Sequence, residues 1–132
     1  MEALKVSEDV TKAKSARKSA KGSLTRVANQ LKKQLVLEPG EKYNFLQLDK
    51  FSIEEDAKKL QIKLSALQEC NEAYSKVGLE TLYKAKVADE VITQFEDEVD
   101  SYWIDARQEA TKVLNLYKFE YSTALDRYLK KY

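Results

Sequence analysis

The feature that most constrains the fold is the stretch 86–132, which contains neither proline nor glycine. These two residues are the strongest helix breakers, so nothing in this stretch forces a helix to end. Apolar residues recur along it at steps of three and four: Ile92, Phe95, Val99, Tyr102, Ala106, Ala110, Val113 and Tyr117. Such spacing puts them on one face of a helix. A lone helix of this kind is not stable in water, so the rest of the chain must cover that face.

Composition favours a small all-helical protein. The 132 residues include three glycines and one proline, too few for the many turns of a β-rich fold. Charged residues make up 34% of the chain, and the net charge is +1. The charges are unevenly divided, because residues 1–34 contain nine Lys or Arg against three Asp or Glu. The first helix is therefore expected to be basic and the later ones acidic.

The first helix is predicted from about residue 7 to residue 36. Ser7 is a good N-cap, and acids follow it directly, where they suit the helix dipole. The apolar stripe of this helix consists of Val10, Ala13, Ala20, Leu24, Val27 and Leu31. Gly22 lies near the end of the first half of this helix, which is rich in small residues. It marks either a close crossing by another helix or a weak point.

A connector over 37–51 follows, because Pro39 and Gly40 end the first helix and permit a turn. Its apolar residues are too many for a free linker: Tyr43, Phe45, Leu46, Leu48 and Phe51. We expect them to fold back and cover one end of a helical bundle. The last turns of the chain are expected to meet this connector rather than overhang it.

The second helix is predicted over about 52–77 and the third over about 80–131. Ser52 and Glu55 form a capping box at the start of the second helix. Gly78 is a suitable C′ residue after its end. The segment 79–85 is either a corner or the first turns of the third helix. Together the elements predict a single domain, 1–132. Its fold is an all-α, elongated, antiparallel, coiled-coil-like three-helix bundle (up-down-up) with a long C-terminal helix.

Catalytic chemistry is largely absent from the sequence. There is no histidine and only one cysteine, Cys70, which excludes His-based nucleophilic relays and the usual zinc sites. Glu96 and Asp100 would share a helix face. A weak hard-cation site is one interpretation, but a solvated face is preferred. We therefore expect no enzyme activity, no cofactor and no metal. The absence of a signal-like or membrane-spanning apolar run favours an intracellular, cytoplasmic protein, with a nuclear location as the alternative.

Two sets of residues are candidates for binding. The first is a candidate polyanion-binding set on the first helix: Lys12, Lys14, Arg17, Lys18, Lys21 and Arg26. Its members contact RNA, contact a membrane or acidic partner, or form a charged outer face that pairs with the acidic helices. No aromatic residue interleaves with them, which argues against base stacking. The second set is a candidate core or interface: Phe95, Val99, Tyr102, Trp103, Tyr117, Tyr121 and Tyr128. Tyrosine suits interfaces because it is apolar with one polar tip.

Three short segments carry a family resemblance that spans most of residues 14–110. The first is Lys21-Gly22-Ser23-Leu24-Thr25-Arg26, preceded by Arg17 and followed by Asn29 and Leu31. The second is Leu60-Gln61-Ile62-Lys63-Leu64 with Ala66-Leu67, and the third is Phe95-Glu96-Asp97-Glu98-Val99 with Tyr102-Trp103. Together they resemble the N-terminal helical Gag-like region of BEL/Pao-type retrotransposon polyproteins. In that family a basic residue, three spacers, a basic residue and an apolar-Thr-Arg step recur before a helix.

The resemblance implies a structural role in assembly of a particle or ribonucleoprotein, without catalysis. The leading hypothesis is therefore a Gag-like helical domain that self-associates into a homo-oligomer. One alternative is a cellular coiled-coil adaptor or tether that binds another helical protein. The other is an RNA-binding helical module that uses the basic first helix, which could equally face an acidic surface. None of these predicts a small-molecule substrate.

Overall fold

A computed structural model describes residues 2–131 as an all-α protein, which confirms the predicted fold class. The helices are α1 (Glu2–Lys5), α2 (Glu8–Leu35), α3 (Lys50–Lys84), α4 (Asp89–Asn115), a π-helical segment (Leu116–Tyr121) and α5 (Ser122–Lys131). The elements α4, π segment and α5 follow one another without a break. Helices α2 and α3 pack together over most of their length, and α4 packs against both in an up-down-up bundle. None of the helices formed by residues 2–131 is long and apolar enough to span a membrane.

Helix α2 begins as the sequence predicts. The Ser7 side chain accepts a hydrogen bond from the Val10 N–H at 3.3 Å, which satisfies one of the free donors of the first turn. The helix ends at Leu35, before Pro39. At Gly22, a Cβ atom would meet nothing within 4 Å in the described chain. The interpretation of Gly22 as a close crossing is therefore wrong.

Helix α3 begins earlier than predicted. Its N-cap is Asp49, whose carboxylate accepts a hydrogen bond from the Ser52 N–H at 3.0 Å. The predicted capping box is therefore wrong, since Ser52 lies inside the helix and donates to the cap instead of being the cap. Aspartate three residues upstream offers an equally good acceptor, and nothing between the two residues breaks the helix.

The prediction that Gly78 ends the second helix is also wrong. Gly78 is buried inside α3, and the Phe95 ring lies so close that a Cβ atom on Gly78 would overlap it. The segment 79–85 is thus mostly the end of α3, neither a corner nor the start of the third helix. The chain turns at Lys86, which has a φ of 53°, and α4 begins at Asp89 rather than near residue 80.

The connector folds back on the bundle as expected. The Tyr43 hydroxyl donates to the Leu35 carbonyl at 2.8 Å, and Phe45 contacts the rings of Tyr121 and Tyr128. The last turns of the chain therefore meet the connector, as predicted. The expectation is wrong for two residues. Leu46 is 87% exposed, and Phe51, on the first turn of α3, is 74% exposed.

Two hydrophobic clusters fill the bundle. The larger consists of Leu24, Ala28, Leu31, Leu35, Ile53, Ala57, Leu60, Leu67, Ala106, Ala110, Val113, Leu114 and Tyr121. The smaller consists of Leu4, Val10, Tyr74, Leu82, Ile92, Phe95 and Val99. The smaller cluster lies toward one end of the bundle and the larger cluster toward the other, and one polar level of the bundle separates them. At that level α2 contributes Arg17 and α3 contributes Asn71, the two buried polar residues of the described chain.

Candidate functional site

A polar layer separates the two clusters. It consists of the buried Arg17 and Asn71, of two tyrosines, and of Glu98, which is exposed at its edge. Arg17 is only 3% exposed. Its Nη1 donates to Asn71 Oδ1 at 3.1 Å, and its Nη2 donates to Glu98 Oε1 at 3.0 Å. Asn71 Nδ2 in turn donates to the Val99 carbonyl at 3.1 Å. One side chain of α2 is thereby tied to both other helices, and its buried charge is compensated.

Two aromatic rings complete the polar layer. The Arg17 guanidinium carbon lies 4.2 Å from the centroid of the Tyr74 ring and 3.8 Å from that of Tyr102. A cation in this position is attracted by the negative faces of both rings. Burial is the main cause that raises the pKa of each tyrosine; Glu98 raises it further and Arg17 opposes the rise. Both phenols are therefore neutral at physiological pH.

Arg17 is one of the candidate polyanion-binding residues, but the structure buries it and pairs it with Glu98 of α4, in line with the alternative that these residues pair with the acidic helices. The Arg17 guanidinium is buried and paired with Glu98, so it is not available to bind RNA or an acidic surface. The sequence did contain a sign of this arrangement. The apolar stripe of α2 runs in steps of three and four but skips from Ala13 to Ala20, and position 17 fills the gap.

The other candidate basic residues fall into three groups. Lys21 forms an ion pair with Glu109 of α4 at 3.4 Å. Lys14 and Lys18 line a groove beside α4. Lys12 and Arg26 are exposed and do not line that groove. The structure thus does not bring the six residues together as one basic surface.

The groove lies at the N-terminal end of α2 and has a volume of about 580 Å³. Its lining consists of Leu4, Lys5, Val10, Thr11, Lys14, Ser15, Lys18, Tyr74, Phe95 and Glu98. The apolar members belong to the smaller hydrophobic cluster, and the lysines come from α1 and α2. Because Glu98 already binds Arg17, the free charge around this groove is positive.

The candidate core or interface residues fall into two groups. Phe95 and Val99 are buried in the smaller cluster, and Tyr121 is buried in the larger one. Four residues are half-buried against the larger cluster or the connector: Tyr102, Trp103, Tyr117 and Tyr128. The Tyr121 hydroxyl is buried and has no hydrogen-bond partner among residues 2–131. Burial raises its pKa, with smaller contributions from Tyr117, Glu54 and Tyr43.

Exposed large apolar side chains are most frequent in the connector with its flanking residues and in the C-terminal helical segments that contact it. Within residues 2–131, nine large apolar side chains are exposed, and five of them lie in this region: Val36, Leu46, Phe51, Phe119 and Leu129. We call this region the connector end. Sequence reasoning missed it because it predicted that Leu46 and Phe51 would be covered.

No group of three side chains able to hold a metal ion occurs in the described part of the chain. Cys70 is half-buried on α3. Comparisons with protein-family models, with curated proteins and with solved structures give no match.

Proposed function

We propose that this chain is a non-enzymatic helical assembly module that associates with further copies of itself through the connector end. The observation that carries the proposal is the concentration of exposed apolar side chains in this one region. A group of large apolar side chains left in water is unfavourable, and such groups commonly mark a protein–protein contact. The site would act by burial of that surface rather than by any chemical step.

The exposure of Leu46 is built into the local hydrogen bonding. The Asn44 side chain accepts from the Leu46 N–H at 3.2 Å, and the Asn44 carbonyl accepts from the N–H groups of Gln47 and Leu48 at 3.0 Å. This turn directs Phe45 and Leu48 toward the core and leaves Leu46 outside. An ordered apolar residue binds a partner at a smaller entropic cost than a mobile one does.

A second copy of the chain is the partner that the remaining properties favour. The net charge of +1 gives little repulsion between copies. The similarity to the Gag-like region of BEL/Pao-type retrotransposon polyproteins points the same way, because it implies assembly from many identical subunits.

Light scattering over a range of concentrations tests the proposal. We expect the wild-type mass to rise above the 15.2 kDa of one chain as concentration increases. The variant Leu46→Ser/Phe51→Ser should remain monomeric at the same concentrations. The matched control is Ile62→Ser/Ile104→Ser, which removes two exposed apolar side chains elsewhere and should associate like the wild type. A monomeric wild type, or equal association by both variants, would refute the proposal.

A further inference from the structure

The groove between α1, α2 and α4 is remote from the connector end, and the self-association proposed above does not use it. We propose that this groove is a docking site for an acidic amphipathic helix of a different protein. Its occupant is defined by two properties of the lining, an apolar floor and a positively charged rim. Each of them follows from contacts in the bundle.

The apolar floor exists because the smaller cluster is incompletely covered on this side. Leu4, Val10 and Phe95 belong to that cluster and also line the groove. On α2, small residues stand beside them, and Ser15 is exposed at the groove edge. The α2 lining runs from residue 10 to residue 18, a length of roughly 12 Å at about 1.5 Å per residue. A floor of two helical turns suits two apolar anchors on a bound helix.

The positively charged rim of the groove favours a partner with negative charge. Lys14 and Lys18 are one turn apart on the same side of α2, and Lys5 of α1 also lines the groove. Glu98 is the only acid in the lining, and its Oε1 is 3.0 Å from Arg17 Nη2. The three lysines form none of the ion pairs found among residues 2–131. A partner with acids flanking its apolar anchors at one-turn spacing would complement this rim.

The polar layer gives the groove a fixed wall. Tyr74 lines the groove, and its ring also contacts the Arg17 guanidinium. Glu98 likewise lines the groove and ties α4 to α2 through Arg17. The separation between α2 and α4 is therefore set at this level before any partner arrives, which reduces the cost of binding.

Fluorescence anisotropy with labelled synthetic helices tests the inference on the full chain. The probes are peptides with leucine or phenylalanine at i and i+4 and glutamate on both sides of them. A matching set has lysine in place of glutamate. We expect saturable binding of the acidic peptides only, and a loss of affinity as salt is added. The variant Lys14→Glu/Lys18→Glu should weaken binding by about tenfold or more, since two rim charges are reversed.

Two further variants separate docking from general charge effects. Arg26→Glu/Lys33→Glu makes the same charge change on exposed residues of α2 outside the groove, and should bind like the wild type. Ser15→Trp should fill the groove and abolish binding with the helix content unchanged by circular dichroism. The inference is overturned if no acidic peptide binds, or if the two charge-reversal variants bind equally. It is also overturned if Lys14→Glu/Lys18→Glu abolishes self-association, because the groove would then hold a second copy.

Discussion

Replacement of Arg17 with alanine should destabilise the bundle more than any other substitution of a charged residue. Asn71 is 6% exposed, and its Oδ1 would lose the donor that Arg17 supplies, which costs about 1–3 kcal/mol for a buried polar atom left unsatisfied. The loss of two cation–π contacts adds about 1 kcal/mol or more. The loss of the ion pair with Glu98 adds little to this cost, because the Glu98 side chain is 48% exposed and becomes hydrated. We therefore expect the free energy of unfolding to fall by about 3 kcal/mol.

Urea denaturation followed by far-UV circular dichroism measures this loss, with Arg17→Met and Arg17→Met/Asn71→Leu as companions. Arg17→Met keeps most of the side-chain volume but leaves Asn71 Oδ1 without a donor, so its loss of stability should be intermediate. The double variant removes both polar partners and should recover most of the stability, since an apolar replacement of a buried polar pair is often neutral. A loss below about 1 kcal/mol for Arg17→Ala, or no recovery in the double variant, would refute the reasoning.

Two further predictions concern the glycines and the tyrosines. Gly78→Ala should lower the free energy of unfolding by about 1–3 kcal/mol because the new methyl group overlaps the Phe95 ring, whereas Gly22→Ala, in open space, should raise it by up to about 1 kcal/mol in the same urea assay. Equal effects of the two substitutions would contradict this. Burial is the largest cause that raises the pKa of four tyrosines above the ordinary tyrosine value of about 10: Tyr43, Tyr74, Tyr102 and Tyr121. Because these phenols ionise more readily in the unfolded chain, the stability they contribute is fully present below pH 10 and is lost as the pH rises further, which denaturation across that range would detect.

Local signals predicted the helix ends with mixed success. Ser7 caps α2 because its side chain and the first-turn donors are only three residues apart. The same rule applied to Ser52 failed, because Asp49 stands three residues upstream and competes as a cap. Gly78 failed for a different reason. Its lack of a side chain serves the approach of Phe95 from another helix, and no neighbour in sequence reveals that use.

The candidate site was predicted less well than the fold. The basic character of α2 was evident, and two of its lysines do line the groove. Arg17 could not be assigned to the interior from its residue type, since arginine is mostly exposed. Its partners Asn71 and Glu98 lie 54 and 81 residues away in sequence. The exposure of Leu46 depends on a turn made by Asn44, and it could not be predicted from the sequence either.

The sequence alone determined that this protein is a bundle of long helices, because apolar spacing of three and four residues acts within a single helix and leaves one face to cover. Only the tertiary structure decided which charges are buried, where the groove opens and which apolar residues remain in water. Those outcomes depend on contacts between side chains that are far apart along the chain, and periodicity within one helix carries no information about them.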